Sequence, residues 1–326
     1  MIEEILKGLY KLEIPLPGNP LRSVNSYVIK TSDRNLIIDT GMNRRECMKA
    51  MELGLKELGV DIKKTDFYIT HSHSDHLGLA SSIASVTSKI YFSEQEAQRV
   101  GSATMWDDLV NYAHLSGFPE NELRGILHHH DGYKYRPRGH MDFSLLTDGD
   151  TITIGDYLFE CVHTPGHTKG HMCLFDPYKE VLVAGDHILN DITPTIQLWS
   201  HDGNPLKKYL ASLEKVSTLN VDLVLPGHRR LFGNCKGRIQ ELKHHHRTRA
   251  DEVLSILEEG PKNAYQMASQ MTWDIAYDSW DQFPLPQKWF STGEANSHLR
   301  YLEQEGKIRG EMGDQDIIVF SLDTNL

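Results

Sequence analysis

The sequence predicts an α/β layered fold followed by a small C-terminal unit of helices and a hairpin. Short runs of β-branched and aromatic residues alternate with helical stretches over the first two thirds of the chain. Strands come first and a mixed strand and helix region follows, with a change of pattern near Gly233 to Gly237. At 326 residues the chain is long enough for one large and one small core.

Strands are expected at Tyr27-Val28-Ile29, Leu36-Ile37-Ile38-Asp39, Phe67-Tyr68-Ile69, Ile90-Tyr91-Phe92, Thr151-Ile152-Thr153-Ile154 and Tyr157-Leu158-Phe159. Three more follow at Met172-Cys173-Leu174-Phe175, Val181-Leu182-Val183-Ala184 and Asp222-Leu223-Val224-Leu225. Gly155-Asp156 suits a two-residue hairpin turn. Apolar residues at helical spacing predict helices over Arg44 to Leu58, Leu77 to Thr87 and Leu206 to Leu219. An insertion over residues 94–140 breaks this rhythm with helical segments carrying Met105, Trp106, Leu109, Tyr112 and Phe118. Long insertions of this kind often roof a functional site. Beyond the boundary, one helix runs to about Glu259 and stops at Gly260-Pro261. Asn263 is placed to cap a short helix through Met271, and Thr292 to cap a second that Gly306 closes. Ile308 and Ile317 to Phe320 read as a hairpin, and two helices then a hairpin is the order of a winged-helix unit. The expected division is therefore residues 1–237 as the catalytic domain and 238–326 as a winged-helix-like domain.

A composition of 39% hydrophobic and 24% charged residues is that of a globular protein. Met1 to Lys7 lacks a basic segment leading into an apolar one, and no apolar run approaches a membrane span, so a cytoplasmic protein without membrane contact is expected. The net charge of -11 gives no general attraction to nucleic acid or anionic lipid. Residues 238–326 carry nine Lys/Arg against fifteen Asp/Glu, which argues against DNA reading and for packing or self-association, such as a homodimer. A small-molecule substrate is the expected partner. Cys47, Cys161, Cys173 and Cys235 form no C-x-x-C pair and read as reduced, buried thiols.

Thr70-His71-Ser72-His73-Ser74-Asp75-His76-Leu77-Gly78 places three histidines and a carboxylate together just after a strand. His-x-His sets two imidazoles on one side of an extended segment, and a turn then re-aims Asp75 and His76. One ion cannot comfortably take all four ligands from so short a loop, so two adjacent ions and further ligands elsewhere are expected. They stand in Thr164-Pro165-Gly166-His167, Ala184-Gly185-Asp186-His187 and Leu225-Pro226-Gly227-His228, each after a strand and beside a glycine. The runs His128-His129-His130 and His244-His245-His246 point in several directions along a helix and read as solvated faces. His163, His171 and His187 flank the motifs and are expected to support ligands or pack in the core.

These motifs, in this order over about residues 20 to 232, resemble the metallo-β-lactamase superfamily. The resemblance implies an αββα sandwich with a dinuclear site at one edge of its two sheets. Carried over motif by motif, His71, His73 and His167 would hold a first metal, and Asp75, His76 and His228 a second. Asp186 would bridge both, making Asp75 and Asp186 the catalytic carboxylates. Asp39, in Ile38-Asp39-Thr40-Gly41, matches the family's early aspartate, which orients a ligand. Such a ligand set suits two divalent ions, with zinc the default and iron or manganese compatible. Two such ions facing two carboxylates and a bridging hydroxide leave about one unit of excess positive charge. That is enough to activate water as the nucleophile and to polarise a carbonyl or phosphoryl oxygen.

The pattern is more similar to glyoxalase II-like members than to the best-known zinc β-lactamases, which use a cysteine in the second site and lack the bridging aspartate. The tail resembles the winged-helix extension of the subfamily that includes lactamase-like protein 2, an RNA-cleaving member. Arg229-Arg230 stands where many relatives have a glycine, and Arg229 at a pocket mouth would hold an anionic group. The expected function is metal-dependent hydrolysis of a small thioester, ester or lactone. One alternative is a phosphodiesterase or single-strand endoribonuclease, kept open by Arg136, Arg138, Arg229 and Arg230. Another is a metal-binding regulator with little catalytic activity.

Overall fold

The computed structural model describes residues 2–274 and 277–323. Its β-rich stretches form two large sheets. The first contains β1 (Ile2–Leu6), β2 (Leu9–Pro15), β3 (Ser23–Ile29), β4 (Asn35–Ile38), β5 (Thr65–Tyr68), β6 (Ile90–Ser93) and β7 (Phe143–Leu146), in that spatial order. Pairing is antiparallel from β1 to β4 and parallel from β4 to β7. The second contains β8 (Thr151–Ile154), β9 (Tyr157–His163), β10 (Met172–Asp176), β11 (Val181–Gly185) and β12 (Leu223–Pro226). Its order is β12-β11-β10-β9-β8, with β11 and β12 parallel and the rest antiparallel. The strands expected from the sequence coincide with β3 to β6 and β8 to β12. β1, β2 and β7 are not among the strands expected from the sequence: β1 and β7 are half-solvated edge strands, and β2, paired on both sides, lacks strict alternation of buried and exposed residues.

Period-two alternation gives the first sheet two apolar faces. Leu9, Tyr27, Ile29, Leu36 and Ile38 meet Phe159, Cys161, Leu174 and Val183 of the second sheet in one core. Val28, Ile37, Phe67 and Ile69 point the other way and pack with Cys47, Met51 and Leu55 of α1 (Arg45–Leu58). Each such fully buried aliphatic or aromatic side chain contributes about 1.5–3 kcal/mol. The helix expected over Leu77 to Thr87 is instead two short ones, α2 (Ser74–Leu77) and α3 (Ala80–Ile83). Ala84 leaves helical geometry, and the hydroxyls of Ser85 and Ser88 take up local hydrogen bonds that compete with a helix.

The insertion folds as α4 (Glu94–Val100), α5 (Met105–Leu115), α6 (Glu120–His129) and α7 (Asp131–Lys134). The later helices are α8 (Pro205–Ser217), α9 (Cys235–Glu258), α10 (Ala264–Gln270) and α11 (Leu285–Gln304), followed by the hairpin β13 (Ile308–Met312) and β14 (Ile318–Leu322). Two compact units result: Met1–Gly101, Asp131–Pro194 and Glu214–Ile239 form one, and Ser102–His130, Thr195–Leu213 and Gln240–Leu326 form the other. This grouping differs from a single cut at residue 237. The middle of the insertion joins the second unit because Ala113, Phe118, Leu123 and Ile126 of that segment pack around Trp289 of α11.

Within the second unit, Asn263 caps α10 through a full capping box with Gln266. Thr292 is not a cap. It lies buried inside α11, where its hydroxyl donates to the Lys288 carbonyl at 2.8 Å, because the helix already starts after Pro284 with Pro286 in its first turn. The reading of His244-His245-His246 as a solvated face is also corrected: His244 is exposed, His245 half-buried and His246 buried. Successive residues on a helix turn by about 100°, so only one of the three meets solvent squarely. His128 and His129 are exposed, whereas His130 packs on Trp106 and Phe290. All four cysteines are free and buried. No described helix is long and apolar enough to cross a membrane.

Candidate metal centre

The side chains singled out by motif come from loops that follow β5, β9, β11 and β12, all in the first unit. After β5 the chain bends over residues 70–72, and His73, extended at φ −64 and ψ 147, leads into α2, so Asp75 and His76 sit in the first turn of that helix. Gly185 with φ 47 and Gly227 let Asp186 and His228 converge. A Cβ on Gly227 would stand 2.4 Å from Asp186 Oδ1 and 2.8 Å from His76 Cε1. The P-G-H glycine is therefore a close-approach position.

The donors gather in overlapping groups. Ligand atoms of His71, His73 and His167 lie within 4.8 Å of one another, as do those of Asp75, His76 and His228, and those of His71, His76 and Asp186. Asp186 stands between the sets: its Oδ2 is 3.6 Å from His167 Nε2 and 3.4 Å from His228 Nε2, and its Oδ1 is 3.5 Å from His76 Nε2. His228 Nε2 lies 3.3 Å from Asp75 Oδ2. His73 offers Nδ1, 3.0 Å from His167 Nε2, whereas His71, His76 and His228 turn Nε2 inward. The two histidines of His-x-His thus present different nitrogens.

The outer nitrogens are anchored. Asp39 Oδ2 accepts the Nδ1–H of His76 at 2.8 Å, and the Ser23 carbonyl accepts that of His228 at 2.7 Å. The Thr70 hydroxyl donates to Asp39 Oδ2 at 2.9 Å and is left to accept the Nδ1–H of His71 at 3.0 Å. Asp39 is held in the left-handed region at φ 57, a conformation that aspartate tolerates better than most residues. His171, expected to support or pack, accepts the Asp186 backbone N–H on Nε2 at 3.1 Å. Thr70, Ser23 and a buried Glu96 also serve this site and carry no motif signal of their own. Glu96 accepts the N–H of Ser72 at 2.9 Å and that of Gly170 at 2.7 Å.

The two halves differ electrically. Burial, reinforced by neighbouring imidazoles, holds His71 and His73 well below the usual histidine range. Burial also opposes charge on His228, but Asp186 and Asp75 outweigh it and push the imidazole up to about 10. His76 is raised in the same way, against burial, by Asp39, Asp186 and Asp75. Burial alone would raise the two carboxyls, but His76 and His228 hold Asp75 and Asp186 below the ordinary carboxylate range. His71 Nε2, His76 Nε2, His228 Nε2 and Asp186 Oδ1 are buried without a hydrogen-bond partner among the described residues. A row of inward ring nitrogens beside two buried carboxylates fits divalent cations, which would take the place of the imidazole protons.

A sandwich that gathers this donor set has the build of a metal-binding protein. The chain belongs to the metallo-β-lactamase superfamily, whose family model matches residues 19–228. It is 25% identical over 303 residues to a β-lactamase-like protein 2 homolog of Drosophila melanogaster, covering 92% of this chain and 89% of that one. It is also 25% identical over 247 residues to an atrochrysone carboxyl ACP thioesterase of Aspergillus fumigatus, covering 74% of this chain and 64% of the relative. The chain thus spans less than two thirds of the length of fungal relatives such as this one. A metallo-β-lactamase family protein from Thermus thermophilus superposes with a TM-score of 0.83 at 26% identity, over 98% of this chain and 100% of that one.

Proposed function

We propose that the centre holds two divalent ions, zinc by default, and hydrolyses a small acyl thioester, ester or lactone. His71, His73 and His167 would hold one ion, Asp75, His76 and His228 the other, and Asp186 would contact both. The observation that carries this reading is the position of Asp186, whose two oxygens lie 3.4–3.6 Å from histidines of both sets. When bound, the ions supply activated water and a Lewis-acid grip on the acyl oxygen. The chain's own residues prepare that chemistry. Asp39, Thr70 and the Ser23 carbonyl engage the outer nitrogens of His76, His71 and His228, so the inward nitrogens are the ones left to face the ions. His171 fixes the backbone of Asp186, and Glu96 fixes the loops that carry His71, His73 and His167.

The thioester is favoured because a relative that matches 74% of this chain is named as an ACP thioesterase. Arg229 is the residue proposed to hold an anionic group of the substrate, through N–H groups other than the Nη2 that donates to the Pro20 carbonyl. Three observations weaken the phosphodiester reading. Arg230 pairs with Asp191 at 2.8 Å, Arg136 stacks over Tyr133, and the chain is acidic. Residues 238–326 are read as winged-helix-like, used for packing or self-association, and the protein as cytoplasmic.

The test is a panel of acyl thioesters, bis-p-nitrophenyl phosphate and single-stranded RNA, assayed on zinc-, manganese- and iron-loaded protein. Turnover of a thioester that disappears in His71→Ala and in Asp186→Ala is the expected result. Preferential cleavage of the phosphodiesters would replace the substrate assignment, and full activity in metal-stripped protein would overturn the mechanism.

A further inference from the structure

A second group of donors lies in the other unit. Ligand atoms of His245 and His246 on α9 and of Glu294 on α11 lie within 4.8 Å of one another. His246 and Glu294 are buried, and His245 is half-buried, so the group has an edge open to solvent. Ring centroids of His245 and His246 are 5.1 Å apart and nearly perpendicular. Adjacent residues on one helix achieve this because one ring points inward and the other lies along the rim.

The protons in this group follow from its hydrogen bonds. His298 Nδ1 donates to the Glu294 carbonyl at 2.9 Å, so in the neutral ring its Nε2 is an acceptor. That Nε2 lies 3.3 Å from His246 Nδ1, which must therefore be the donor. His246 is left with an unprotonated Nε2, and this atom is buried without a hydrogen-bond partner among the described residues. A buried histidine with one nitrogen donating to an anchored acceptor and the other holding an unpartnered lone pair has the arrangement of a metal ligand. Arg249, one turn further along α9, pairs with Glu252 at 2.6 Å and also donates to the Thr272 carbonyl.

We propose that His245, His246 and Glu294 form a separate binding site for a single divalent transition-metal ion, with His298 as the positioning residue. Two imidazoles and one carboxylate suit zinc and leave a coordination position for water at the open edge. The ion would clip α9 to α11, a structural use rather than a catalytic one. None of these residues belongs to the hydrolytic centre, so the inference stands independently of the substrate assignment.

The test is metal content by mass spectrometry on tag-free, full-length protein dialysed against zinc. It compares wild type with Glu294→Gln, which preserves shape, and with His245→Ala, at a half-exposed position. Each variant is expected to retain about one zinc fewer per chain, with thioester turnover unchanged and thermal unfolding shifted downward only in the presence of zinc. Cobalt substitution gives a second readout, since the variants should lose part of the visible d–d absorption of the loaded wild type. Identical zinc content in wild type and both correctly folded variants would overturn the proposal. Circular dichroism establishes folding, and if Glu294→Gln fails to fold, His245→Ala decides the matter alone.

Discussion

Glu96 and Gly170 are joined by a 2.7 Å hydrogen bond in which a fully buried carboxylate accepts the glycine's backbone N–H. The other carboxylate oxygen accepts the N–H of Ser72, between His71 and His73. One side chain therefore ties the His-x-His loop to the loop that follows His167. Gly170 permits this, since a Cβ there would lie 2.8 Å from Gln95 Cβ and 2.9 Å from the Glu96 nitrogen.

Replacing Glu96 by Gln keeps the shape but sets an NH2 group against one of two backbone donors. That leaves a buried N–H unsatisfied, at a cost of about 1–3 kcal/mol. Denaturant unfolding should register the loss, and turnover of the metal-loaded variant should fall by about tenfold. Wild-type stability in this variant would mean that the clamp is not needed.

Gly227→Ala places a methyl group where Asp186 Oδ1 and His76 Cε1 stand. Displacing either donor should weaken metal binding by at least about tenfold. Gly101→Ala is the control, because the nearest atom to its Cβ is an ordinary 3.4 Å away. Equal metal content in the two variants would contradict the crowding argument.

Asp39→Asn isolates the anchoring of His76. Asparagine tolerates the left-handed backbone at this position, but its amide offers only one oxygen to the Thr70 N–H, the Thr70 hydroxyl and the His76 Nδ1–H. Metal affinity, read by competition with a chelator, is expected to drop by about 10–100-fold with the fold intact. Unchanged affinity would show that the tautomer of His76 is set elsewhere.

Metal loading should release protons at pH 8. Burial opposes charge on His228, but Asp186 and Asp75 hold it protonated up to about 10, and a metal must displace that proton. Calorimetry in buffers of different ionisation enthalpy measures the release directly, and buffer-independent heats would refute it. The same raised pKa fixes the pH dependence of the metal-free protein. Its His228 pairs stabilise the fold fully below the unfolded pKa of about 6.5 and fade as pH rises through about 10. Asp186, held low, acts oppositely: its contribution is present above the unfolded pKa of about 3.9 and is lost as pH falls through its folded value.

The sequence by itself determined the strands that carry alternating apolar residues and the short motifs around His71, His167, Asp186 and His228. Each depends on residues near one another along the chain, so periodicity, glycine placement and ligand spacing report it directly. Tertiary structure alone decided what supports those motifs. Glu96, Ser23 and Thr70 reach Gly170, His228 and Asp39 through hydrogen bonds between segments far apart in the chain, and no local pattern marks a side chain or carbonyl that will serve a distant partner. The same holds in the second unit. Thr292 has the residue type of a cap but lies inside α11, because Pro284 and Pro286 start that helix earlier. His246 sits in a run that looks solvated, yet the packing of α9 buries it within reach of Glu294 and of His298, 52 residues further along the chain. Burial is set by which helix face meets another element, and a chain read in one dimension does not contain that choice.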